Sequence, residues 1–131
     1  MSSSNVSIGT LDKAVKDILE NYNYEVDKMV QTQLREVGRL TVKELKKTSP
    51  KAPKNGGAYA NDWKAKFEVD GLNSQVRVYN VNHYQLTHLL EHGHAKVNGG
   101  FVPGKPHIKP AQKKAEEKAM ELIKEGIESV K

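Results

Sequence analysis

Cysteine is missing from this 131-residue chain, which excludes a disulfide framework and any thiolate metal site and gives weak support for a reducing compartment. Arginine is scarce: Arg35, Arg39 and Arg77 are the only three, so the net charge of +5 comes from lysine. Specific nucleic-acid readers lean on arginine and clustered aromatics, and a mild lysine excess more often marks solvated faces. Aromatics are few, with one tryptophan, five tyrosines and two phenylalanines, so the core must be modest and largely aliphatic. No apolar run approaches the roughly 20 residues that span a bilayer, and residues 1–10 are polar rather than signal-like. The chain therefore reads as one that is made in, and stays in, the cytoplasm of its cell, without a membrane partner. Its length suits one domain with one core.

What is present orders itself into an α+β pattern: a long N-terminal helix, an antiparallel β-hairpin or small sheet, a short middle helix and a C-terminal amphipathic helix. Residues 1–9 are Ser/Asn-rich and expected to be disordered, leaving a single α+β domain over residues 10–131. Thr10 fits a helix cap, and Leu11, Val15, Ile18, Tyr22, Val26, Met29, Val37 and Leu45 follow at helical spacing. No proline falls between residues 10 and 49, although Gly38 is a place to bend. A helix this long exceeds the usual range, so either it breaks near residues 21–23 or part of it projects to pack on another subunit.

"SPKAPKNGGA", residues 49–58, is a loop by its turn chemistry. Trp63, Ala65, Phe67 and Val69 then alternate with charged residues, Asp70-Gly71 gives a turn signal, and Val76 and Val78 share a face: a hairpin that must pack on the helices or gain a strand. Trp63 fits a core anchor better than a stacking platform for a base. Residues 83–91 read as a short helix ended at Gly93. The Gly/Pro-rich stretch after it suits a long ordered or functional loop, with room for a short extra strand around residues 95–102. Pro110 fits the first turn of the last helix, whose stripe is Ala111, Ala115, Ala119, Leu122, Ile127 and Val130.

Within "LTHLLEHGHAKVNGG", His88, Glu91 and His92 spell H-x-x-E-H, the inverted zincin motif. Four residues apart on a helix, the two histidines lie about 6 Å apart, and Glu91 would be the base that activates a metal-bound water. A catalytic site needs a third ligand. His94 is one candidate. Glu116, Glu117 and Glu121 are others, but they read more simply as solvated partners of nearby lysines. With no P-loop, no G-x-S-x-G, no G-x-G-x-x-G and no cysteine nucleophile, other chemistry has less to stand on, and Asp62 and Glu68 read as surface carboxylates. No cofactor, catalytic residue or metal ligand is assigned. A zinc-dependent hydrolase using the string at His88–His92 stands as the alternative, and a lysine-driven, non-specific nucleic-acid binder as the second.

"ELKKTSPK", "AYANDWKAK" and "VYNVNHYQLTHLLEHGHAKVNGGFVPGKPHIKPA" in that order resemble the tail-component family of tailed bacteriophages and prophages, described as head-tail joining, neck or tail-completion proteins. The resemblance runs from about Val37 to the C-terminal helix and is most specific over residues 84–111. It departs from the family pattern between Pro50 and Tyr59, where Gly56-Gly57 replaces an expected Thr-Gly pair. What the resemblance implies is a structural virion protein, not an enzyme. It would join or complete the tail at the head-tail interface as a ring of its own copies, in contact with the tail tube or tail terminator and with head-connector proteins. It would reside in the virion tail or neck after assembly in the host bacterial cytoplasm. The residues then expected at assembly contacts are Lys51, Lys54, Tyr59, Glu91, His92, His94, Lys96, Lys105 and His107. Lys46 and Lys47, in the basic stretch "KELKKTSPKAPK", are the expected non-specific contacts with passing DNA; otherwise they only offset the helix dipole.

Overall fold

Because no proline removes a backbone donor, the first helix has no forced break, and the computed structural model carries it as α1 (Ile8–Thr48) without interruption through residues 21–23. At 1.5 Å per residue its 41 residues span about 60 Å. The structure describes residues 8–51, 57–70 and 73–130. Most of the segment expected to be disordered lies outside them, as does Lys54. Thr10 is not the cap, since the helix already runs from Ile8.

After α1 come β1 (Trp63–Glu68), β2 (Gln75–Asn80), α2 (Gln85–His92), β3 (Gly93–Ala95), β4 (Phe101–Pro103) and α3 (Ile108–Ser129), an α+β architecture. The strands form two separate antiparallel pairs, β1 with β2 and β3 with β4. The extra strand expected near residues 95–102 is thus a second hairpin, because β3 and β4 satisfy each other's ladder.

In the first hairpin Trp63 sits opposite Asn80, Ala65 opposite Val78 and Phe67 opposite Val76, so one face carries all six. That face lies on α1. Gly38 lets it approach: a Cβ there would come within 2.6 Å of Val76 Cγ2. Gly38 therefore serves close packing in an unbroken helix, not a bend. The Arg35 guanidinium covers the Phe67 ring at 4.3 Å. Val69, expected on the buried face, lies past the end of β1 and is exposed.

Helix α3 runs antiparallel to α1, with Lys114 near its start bonded to Glu44 and Gly126 near its end under Met29. Gly126 is buried there because a side chain would run into the Met29 thioether, whereas Ile127, expected on the inner stripe, points outward. The core gathers at the C-terminal end of α1, where Leu45, Tyr59, Trp63 and Ala111 are buried with Val42, Val78, Leu90 and Ile108 against them. Burial of a side chain such as Leu45 stabilises the fold by about 2 kcal/mol. No described helix is long and apolar enough to cross a membrane.

Candidate functional site

Helix α3 begins without a cap of its own: His107 precedes it, and the His107 side chain makes no cap bond. Its first free N–H groups need acceptors. Glu91, on α2, supplies them. Its Oε1 accepts from the N–H of His107 and of Ile108, both at 2.8 Å, and its Oε2 accepts from Lys109 N–H at 3.0 Å. A carboxylate at a helix N-terminus also meets the positive end of the helix dipole. Burial works to raise the Glu91 pKa, but the three backbone donors together with His107 outweigh it and hold the carboxyl below its usual range.

The same junction is closed by aromatic and polar side chains. His107 is almost wholly buried, at 2% exposure. Its Nδ1 faces two acceptors, Lys105 O at 2.8 Å and Glu91 Oε1 at 3.1 Å, so Nδ1 carries a proton. In the neutral ring Nε2 then accepts from the Tyr59 hydroxyl at 2.8 Å. Burial first, and the Glu91 charge second, push the Tyr59 pKa up to about 12, which keeps the phenol a donor. Tyr59, Trp63 and His107 meet edge to face, and the Trp63 indole donates to Ser49 Oγ at 2.8 Å. Asn80 donates to Tyr59 O and accepts from His83 N–H. Asp62 fixes the turn into α2 by accepting from Asn82 N–H at 2.6 Å and contacting His83 Nδ1 at 3.0 Å. Burial raises the Asp62 pKa, and the Asn82 and His83 contacts lower it further than that.

Gly93 ends α2 with φ 87°, a conformation that suits glycine, and a Cβ there would lie 2.5 Å from Val102 O. Lys105 N–H donates to Leu90 O at 2.8 Å, so the second hairpin is tied back at its root.

This geometry decides what the H-x-x-E-H string does. His88 and His92 lie together on the exposed face of α2, ring centroids 4.7 Å apart, while Glu91 turns inward with both oxygens engaged by the backbone of α3. A general base must be free to take a proton from a water held near the histidines. Glu91 faces the other way. His94 is half-buried, and its Nδ1 is buried without a partner. Among the described residues, no group of three or more His, Asp or Glu is placed to hold a metal ion.

Of the residues expected at assembly contacts, Tyr59, Glu91 and His107 are drawn together inside the subunit, where they set the junction of α2 and α3. Lys51, His92, Lys96 and Lys105 are exposed around it, as are Lys46 and Lys47 in the last turn of α1. Ser49 and Asn80 belong to the junction too and carried no signal in the sequence, since short polar residues beside a loop ordinarily read as turn formers.

Among the described residues, exposed apolar side chains gather at both ends of the subunit, and the two ends differ. At the N-terminal end of α1, beyond the point where α3 stops, Val15, Ile18, Leu19 and Tyr22 are exposed, Ile18 at 67%. At the opposite end, Tyr84, Leu86 and Leu89 of the α2 region and Val97 and Phe101 of the second hairpin are exposed.

Comparison with curated proteins and with solved structures gives no match. Residues 11–93 match a protein family described as "Bacteriophage HK97-gp10, putative tail-component". The match takes in α1, the first hairpin and α2. It begins and ends earlier than the resemblance noted above, so the stretch from His94 to Ala111 falls beyond it. Covering more than half of the chain, it identifies this protein as a member of the HK97-gp10-like family of bacteriophage tail components, with a structural role in the virion.

Proposed function

We propose that this tail component joins or completes the tail at the head-tail interface by closing into a ring of its own copies. The observation that supports it is the pair of unlike apolar surfaces at opposite ends of the subunit. A surface that repeats on itself favours a two-fold dimer, whereas two different surfaces favour head-to-tail contact, which closes into a ring when the rotation allows. In this reading the arm formed by residues 13–25 of α1 lies against the α2 region of a neighbour, at Tyr84, Leu86 and Leu89. The loops over residues 49–58 and 95–107 reach the tail tube or tail terminator on one side and the head connector on the other. Lys51, His92, His94, Lys96 and Lys105 lie on or beside those loops, and Tyr59, Glu91 and His107 form the junction next to them. The ring forms on the growing particle in the host cytoplasm and remains in the tail or neck of the virion.

The test is electron microscopy and native mass spectrometry of the full chain with purified tails, beside Ile18→Glu. Wild type should form a closed ring on the tail end, and Ile18→Glu should fold but fail to close it. Rings of unchanged occupancy with Ile18→Glu would refute head-to-tail contact through the arm.

A further inference from the structure

Between α1 and α3 the surface opens into a groove of about 300 Å³. Val37, Leu40, Ala111 and Ala115 form an apolar floor, and the two alanines keep the α3 wall low. Four lysines stand around it: Lys43 and Lys47 on α1, Lys114 and Lys118 on α3. Each pair is spaced i,i+4, so each helix presents two ammonium groups on one side, an arrangement that repels by a few tenths of a kcal/mol in an isolated helix. One carboxylate lines the groove, Glu44, and it is already held by Lys114 at 2.7 Å. Lys118 reaches Glu121 at 3.4 Å, on its own helix. Among the described residues, Lys43 and Lys47 have no acidic partner.

Lys43 and Lys47 leave the α1 edge of this apolar trough electrostatically incomplete, while Lys114 and Lys118 on the α3 edge each have an acidic neighbour. Its complement carries negative charge toward the α1 edge and an apolar ridge beside it. A DNA backbone offers the charge without the ridge, so the floor would stay unfilled. An amphipathic helix with carboxylates flanking leucine-like side chains offers both, and the lysine stems add apolar contact along its sides. We propose that the α1–α3 groove is a docking site for an acidic amphipathic segment of a partner protein, seated on Leu40 and Ala115 and clasped by Lys43, Lys47, Lys114 and Lys118. This site is independent of ring closure, because it uses neither of the two end surfaces.

The experiment is nitrogen-15 NMR titration of the full chain, kept monomeric by dilution, with a synthetic helical peptide of about 16 residues carrying leucines at i,i+4 and glutamates elsewhere. The expected result is saturable shift changes centred on Leu40, Thr41 and Ala115. Binding should weaken about tenfold or more in Lys43→Glu/Lys47→Glu and in Ala115→Gln, each checked for an unchanged fold by circular dichroism. The proposal is overturned if the peptide does not bind or if its shifts map elsewhere. It is equally overturned if polyglutamate or a short DNA duplex gives the same shifts with the same affinity, since charge alone would then explain binding. Concentration-dependent changes at these residues without peptide would assign the groove to a second copy of the chain and overturn it as well.

Discussion

At its C-terminal end α1 meets a junction in which nearly every polar atom has a partner: Glu91 holds three backbone donors of α3, His107 bridges Glu91 and Tyr59, and Trp63 bonds Ser49. At its N-terminal end, every residue from 13 to 25 is exposed, although the same apolar spacing continues there. One helix thus has a finished end and an unfinished one. The difference lies in the neighbours, since the last turn of α3 packs on Met29 at Gly126 and, among the described residues, little covers the arm beyond it. Apolar periodicity identifies a face that wants cover; it does not say whether the cover belongs to the same molecule.

The largest effect should come from opening the finished end. Glu91→Ala removes the two acceptor oxygens that serve three N–H groups at the start of α3 and is expected to cost about 3 kcal/mol in urea unfolding, with Glu91→Gln costing about half as much because it keeps an acceptor oxygen. Equal losses for the two would mean that charge matters and the hydrogen bonds do not. Next, Gly38→Val should force the first hairpin off α1 at a cost of about 2 kcal/mol, whereas Ile18→Glu on the same helix should leave unfolding unchanged within about 0.5 kcal/mol. Comparable losses at both positions would erase the contrast between the two ends.

A smaller effect follows from pH. Folding depresses the Glu91 and Asp62 pKa values below 4.5 and 3.8. The stability they contribute is therefore complete above those values and disappears as pH falls through the lower folded ones. Stability should be flat near neutrality and drop in acid, and Glu91→Gln should flatten that acid limb; an unaltered limb would place the titration elsewhere. Smallest of all, Lys46→Gln/Lys47→Gln should leave folding nearly intact and reduce the log-log salt slope of duplex DNA binding by about 2 if both touch phosphate. The same slope in variant and wild type would leave these lysines as charges that offset the end of α1.

Much of this fold was legible because local pattern and tertiary outcome agree. The long helix, the hairpin around Trp63, the short helix ending at Gly93 and the amphipathic last helix all follow from periodicity and turn residues. The site was legible in its members but not in its logic. Glu91 and His107 stand out in the sequence, yet Glu91 caps a helix that begins seventeen residues later, and capping signals are readable only when cap and helix are adjacent. The zincin spelling misleads for the same reason, since spacing fixes which residues share a helix face and not which of them faces the protein. Ile127 was expected inside because it is apolar, but close approach of α3 to α1 selects Gly126 by size. The exposed arm is one of two outcomes that the sequence allows for so long a helix, because exposure depends on where another helix ends.

The tie from Lys105 to Leu90, together with the Glu91 cap, has a consequence for how this chain can change over time. Both ends of the second hairpin are clamped to the body, while its tip, with Gly99 and Gly100 at positive φ and Val97 fully exposed, makes no contribution to the core. Such a finger can be lengthened, shortened or exchanged without moving α3. Related particles with differently shaped neighbours could be fitted by rewriting those few residues alone.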